Sequence, residues 1–127
     1  MSEQAAPTQT AAEVIAPVLE EAKALGLDFR PITGLVAKRA KRLGIDLDGI
    51  GRASQSKLAD EDYDDQIKRA AWLLCADEAE IAAAIEVGTA PQTCEAWQAR
   101  ALTSLRHERS VYRTLMARWL EYQVELE

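Results

Sequence analysis

At 127 residues, with 48% apolar and 28% charged side chains, the chain has the make-up of one soluble domain that can bury a core without metals or disulfide staples. Its net charge of −6 gives it no general attraction to phosphate backbones. Two cysteines, Cys75 and Cys94, with no export signal ahead of them, fit free thiols in a reducing cytoplasm.

Alanine and leucine dominate the apolar residues, which favours an all-α fold because both lose little on entering a helix. Residues 1–9 are polar, without a basic start or an apolar run, and read as a flexible tail before a single helical domain over 10–127. No apolar segment approaches the roughly 18 residues of a membrane span. Thr10 and Glu13 then have capping-box spacing, and Val14, Val18, Ala22 and Leu25 share a helical face. Pro17 would kink a helix starting at Ala11 but suits the first position of one starting at itself, so a helix is expected over about 17–25, stopped by Gly26.

"LDFRPITG" reads as a connector, since Arg30 precedes Pro31. Thr33 can cap "GLVAKRAKRLG", in which Val36, Ala40 and Leu43 share a face and Lys38, Arg39, Lys41 and Arg42 fill the rest. Residues 44–60 contain three glycines and no sustained period, as expected of a long loop with at most a short element. "DEDYDDQ" then puts five carboxylates at a helix start, where the macrodipole favours negative charge. Tyr63, Ile67, Ala70 and Leu74 form a stripe. Residues 70–76 carry no charge, so this helix must be covered on most of its circumference. Asp77 and Glu80 repeat the cap spacing for a short helix with Ile81 and Ile85 on its core face and Gly88 as its stop.

"TAPQT" reads as a turn, with Thr93 capping the last helix. From Cys94 to Leu126 there is no Gly or Pro. Trp97, Ala101, Leu105, Tyr112, Leu115, Trp119, Tyr122 and Leu126 recur at three, four and seven, close to a heptad seam that Glu108 interrupts. A helix over about 94–126 would be roughly 50 Å long, against roughly 30 Å for the domain. Its end would overhang or meet another chain, which makes Tyr112, Leu115, Trp119, Tyr122 and Leu126 the candidate partner-binding residues. The expected architecture is a small all-α domain of about five helices with a long C-terminal helix.

Little in the sequence points to chemistry. His107, the single histidine, lies among Arg106, Glu108 and Arg109 and reads as a surface residue. There is no G-x-S-x-G nucleophile and no phosphate-cradling glycine pattern. One His and two Cys, far apart, do not make a zinc site. Asp62, Asp64 and Asp65 could hold a hard cation, but EF-hand spacing fails there, and it fails at "DLDGIG", whose twelfth position is Lys57. Helix-start electrostatics is the simpler reading. No catalytic, cofactor or metal residues are assigned, and the chain is read as a non-enzyme. "AKRAKR" at 37–42 is either a solvated face or a contact for an acidic partner, including the chain's own 60–65 run.

"EIAAAIEVGTAPQTCEAWQAR" raises the alternative of a helix-turn-helix DNA reader, such as a small terminase-like packaging subunit. Against it, the turn looks about two residues too long. The reading helix would also offer Gln92, Thr93, Glu95 and Gln98 with Arg100 as its positive charge.

"PITGL" at Pro31–Leu35, the polar loop 44–60 and "RAAWLLCADEAEIAAAI" at 69–85 together resemble the layout of bacteriophage tail assembly chaperones. The resemblance covers about 31–87 and carries no catalytic motif. It implies a virion-assembly factor in the host cytoplasm that does no chemistry and binds phage structural proteins. It transfers no individual binding residue. A protein partner, or a second copy through the terminal helix, is therefore expected, and nucleic acid or a membrane is not.

Overall fold

The stretch without a charge forms the centre of the molecule. The computed structural model describes residues 11–47, 49 and 61–126, except the side chains of 11–14, 61–63 and 124–126. Six helices, α1 (Ala11–Ala24), α2 (Gly34–Arg42), α3 (Glu61–Cys75), α4 (Glu78–Val87), α5 (Ala90–Ala101) and α6 (Leu105–Leu126), make an all-α fold with no strand among the described residues. Ile67 and every residue from Ala70 to Leu74 on α3 are buried. Helices α2, α5 and α6 pack around α3, α1 packs on α6, and α4 packs on α5. Trp72, Leu73 and Leu74 each gain roughly 1.5–3 kcal/mol from that burial.

Local signals set most of the ends. Thr33 Oγ1 accepts from Val36 N at 3.3 Å at the start of α2. Asp77 Oδ1 accepts from Ala79 N at 2.9 Å and Glu80 N at 3.1 Å at the start of α4. Gly26, Gly44 and Gly88 stop three helices in the left-handed region, with φ of 84°, 74° and 77°. At the first two stops the next amide reaches back inside the helix: Leu27 N donates to Ala22 O and Ile45 N to Ala40 O, both at 2.8 Å. Leu27 and Ile45 thereby enter the core.

One expectation fails because distant packing outweighs local preference. Helix α1 begins at Ala11 and carries Pro17 inside it. Pro17 lacks the N–H that would bond the Glu13 carbonyl, but Ile15, ahead of it, is buried only if the helix has already started. The α1–α6 contact, the most extensive between any two helices, offsets that lost bond. Thr10 of the proposed capping box lies outside the described residues, as do most of 44–60. Leu47 and Gly49 are helical there, and Asp46 Oδ1 accepts from Gly49 N at 2.9 Å.

The single helix expected over 94–126 is two. Helix α5 already begins at Ala90, so Thr93 lies inside it rather than capping it. The chain leaves helix at 102–104 and restarts at Leu105. Ser104 makes the break: its Oγ accepts from His107 N at 3.3 Å and pairs with His107 Nδ1 at 2.6 Å, as at a helix N-cap. The elbow turns α6 back along α1 and α3, where Val111, Leu115 and Ala117 join the core. Lys68 of α3 fastens the start of α6, with Nζ 2.8 Å from Asp64 and 3.2 Å from Glu108. The bond to Asp64, more than the one to Glu108, raises the Lys68 pKa against the effect of burial.

The connector 27–33 is a strap within the core. Leu27, Phe29 and Ile32 are buried and alternate with exposed Asp28 and Pro31. Arg30 N donates to Leu74 O at 3.0 Å and Arg30 Nη2 to Leu73 O at 2.9 Å, satisfying carbonyls that the end of α3 leaves open. Arg118 of α6 donates to Phe29 O from Nε at 3.2 Å and from Nη2 at 2.8 Å.

Ending the chain after Arg109 should therefore abolish cooperative thermal unfolding followed by circular dichroism, because α1 and α3 lose their cover. Arg118→Met should lower stability by about 1–3 kcal/mol in urea titration. An unchanged midpoint would mean that the strap holds without its clamp.

Candidate functional site

The proposed partner face on the last helix is largely used inside the chain. Leu115 is 1% exposed and belongs to the core. Tyr112 is half-buried, and Trp119 and Tyr122 are half-buried and packed against the core. Leu126 lies in α6, and its side chain is outside the description. Tyr122 also borders a groove with Ala37, Lys41 and Ile45. Leu105 and Leu120 remain exposed on α6. They are fifteen residues apart, roughly 22 Å along the axis, and do not form one patch.

The helix-turn-helix question also changes. Only Gly88 and Thr89 separate α4 from α5, a shorter connection than the sequence reading supposed. The charge pattern is as read: Gln92, Glu95 and Arg100 are exposed on α5, and Arg100 Nη2 lies 4.0 Å from Glu80.

The feature that sequence reasoning passed over is a groove of about 390 Å³ between α2 and α4. One wall is the outer face of α2, with Leu35, Lys38, Arg39 and Arg42. The other is α4, with Ala82, Ile85 and Glu86. Spacings of three, four and seven place the α2 residues on one helical face about two turns long. Leu35 is 53% exposed, and Val87, one residue beyond Glu86, is 70% exposed. The cluster read as a solvated face or a contact for the 60–65 run sits here. Arg39 Nη1 lies 3.7 Å from Glu78 Oε2, and Arg30 Nε lies 3.8 Å from Glu78 Oε1. Glu78 thus ties the strap, α2 and the start of α4 together. Asp64 and Asp65 instead pair with Lys68 and Arg69 one turn along their own helix.

Among the described residues, no cluster of three or more His, Cys, Asp or Glu side chains could hold a metal ion. No described helix is long and apolar enough to cross a membrane. Three cations against one carboxylate line the groove of a chain whose net charge is −6. Such an arrangement offers a mostly cationic cleft with apolar side chains on both walls. A sequence signal existed: Leu35 falls off the Val36–Ala40–Leu43 stripe, and Val87 falls off the Ile81–Ile85 stripe. No family model, curated protein or solved structure matches the chain.

The cysteines lie away from the groove. Cys75 is half-buried and Cys94 is buried and accepts from Gln98 Nε2 at 3.3 Å. Burial pushes both thiols up, further for Cys75, even with the Arg30 charge pulling the other way. A thiolate is the reactive form, so neither cysteine should titrate with Ellman's reagent at pH 8 in the native state at the rate of a free thiol. Both should react promptly in denaturant, and reactivity in the fold should rise only well above the usual thiol pKa. Fast native labelling at pH 8 would contradict the burial.

Proposed function

We propose that the chain is a non-enzymatic interaction protein that holds a partner protein in the α2–α4 groove, as a virion-assembly factor of the tail-chaperone kind. The exposure of Leu35 on the groove's cationic wall carries this reading. A large aliphatic side chain left in water beside a cleft gains by being covered, and apolar clefts rimmed by polar residues are where proteins dock. The resemblance to tail assembly chaperones supports it further, because residues 31–87 include α2 and α4, and so both walls.

A second reading, a duplex-binding helix-turn-helix, loses the objection of an overlong turn, because only Gly88 and Thr89 join the two helices. It is opposed by Glu95, exposed on the helix that would enter the groove of the duplex.

A photo-crosslinking residue at Val87, compared with one at exposed Glu20 on α1, separates them. In nuclease-treated lysate of the source cell or its phage-infected form, Val87 should capture a discrete protein and Glu20 should not. Equal capture from both positions would sink the docking reading. Retardation of duplex DNA at about 50 mM salt, lost steeply as salt rises, would establish the second one.

A further inference from the structure

We infer that the occupant of the α2–α4 groove is an acidic amphipathic helix of a partner protein, about two turns long. It would set two apolar side chains against Leu35 and Ile85 and its carboxylates against Lys38 and Arg42. This rests on the docking reading and adds the chemistry of the partner.

Charge and register select this occupant. The groove is a positive site on a negative protein: Lys38, Arg39 and Arg42 line it, with Glu86 as the one carboxylate. Arg39 is partly occupied by Glu78, which leaves Lys38 and Arg42 exposed and without an acidic partner among the described residues. The two follow half-exposed Leu35 by three and seven residues on one face, a pattern that suits an apolar anchor followed along the partner helix by acidic residues. A phosphate backbone would meet the same cations but would leave Leu35 uncovered and face Glu86. Leu35, Ala82 and Ile85 share the groove with those charges, which favours a peptide with apolar side chains over nucleic acid. Complementary charge here sets which partner binds and how fast, and apolar burial supplies the hold.

The full chain is titrated against two fluorescein-labelled helical peptides with leucines at i, i+3 and i+7. One carries glutamates at its remaining positions and the other carries lysines, and anisotropy reads binding. The glutamate peptide should bind about tenfold tighter, and the difference should shrink with salt. The double substitution Lys38→Glu and Arg42→Glu should reverse the preference. Both positions are exposed, so the fold should survive, and an unchanged melting temperature checks this. Leu35→Ser should weaken both peptides.

Equal binding of the two peptides, with Leu35→Ser still weakening both, would overturn the acidic partner and leave the docking reading standing. Binding of neither peptide, or binding untouched by all three substitutions, would overturn the inference. So would displacement of the glutamate peptide by duplex DNA. An increase in mass with protein concentration that the double substitution removes would also overturn it, because the occupant would then be a second copy.

Discussion

Everything in this fold follows from covering α3. Five consecutive buried residues, Ala70–Leu74, leave no solvent side on the C-terminal part of that helix, so each flank there must be met by another element. Helices α2, α5 and α6 meet three of them, and the extended strap crosses its end. The strap is the demanding part, since an extended segment inside a helical core has no backbone partners of its own. Arg30 and Arg118 supply part of what it lacks. The guanidinium of Arg30 closes the Leu73 carbonyl at the end of α3 while its backbone amide closes that of Leu74, and Arg118 closes a carbonyl of the strap itself. Two arginines therefore act in this protein as backbone-satisfying groups, with their ion pairs to Glu78 and Glu121 as secondary contacts.

That arrangement also determines where a partner can sit. Helix α2 follows the strap and meets the start of α4 through Arg39–Glu78, so its outer face lies beside α4 with the groove between them. A site built on anchored helices costs a ligand less ordering than one built on loops. The basic residues of α2 therefore do two jobs on adjacent positions: Arg39 fastens the wall, and Lys38 and Arg42 are left to face outward.

How much of this the sequence disclosed depends on the range of the interaction involved. Thr33, Asp77, Gly26, Gly44 and Gly88 act within one turn, and the ends they mark were legible. The charge-free run 70–76 was legible as a surrounded helix because the absence of charge needs no knowledge of what surrounds it. Pro17 was misread, since the packing of α1 along α6 outweighs a missing local bond. The elbow at 102–104 was missed because no Gly or Pro marks it, and Ser104 reads as an ordinary helical serine unless its reach to His107 is considered. The burial of Phe29 depends on Arg118, 89 residues away, and no local pattern announces it. The groove left a faint signal in two apolar residues standing off their stripes, and that signal was passed over for the more regular seam on the last helix.

The pairing of the first helix with the last bears on how the protein is made. Glu21 meets Arg113 across 92 positions of chain, and the strap waits for Arg118 over nearly the same span. A ribosome adding about 5–20 residues per second needs several seconds to pass from Cys75 to Leu126. Until α6 has been made, the run Ala70–Leu74 lacks the helix that covers one of its flanks. An apolar surface left open in that interval is the kind to which unfinished chains stick.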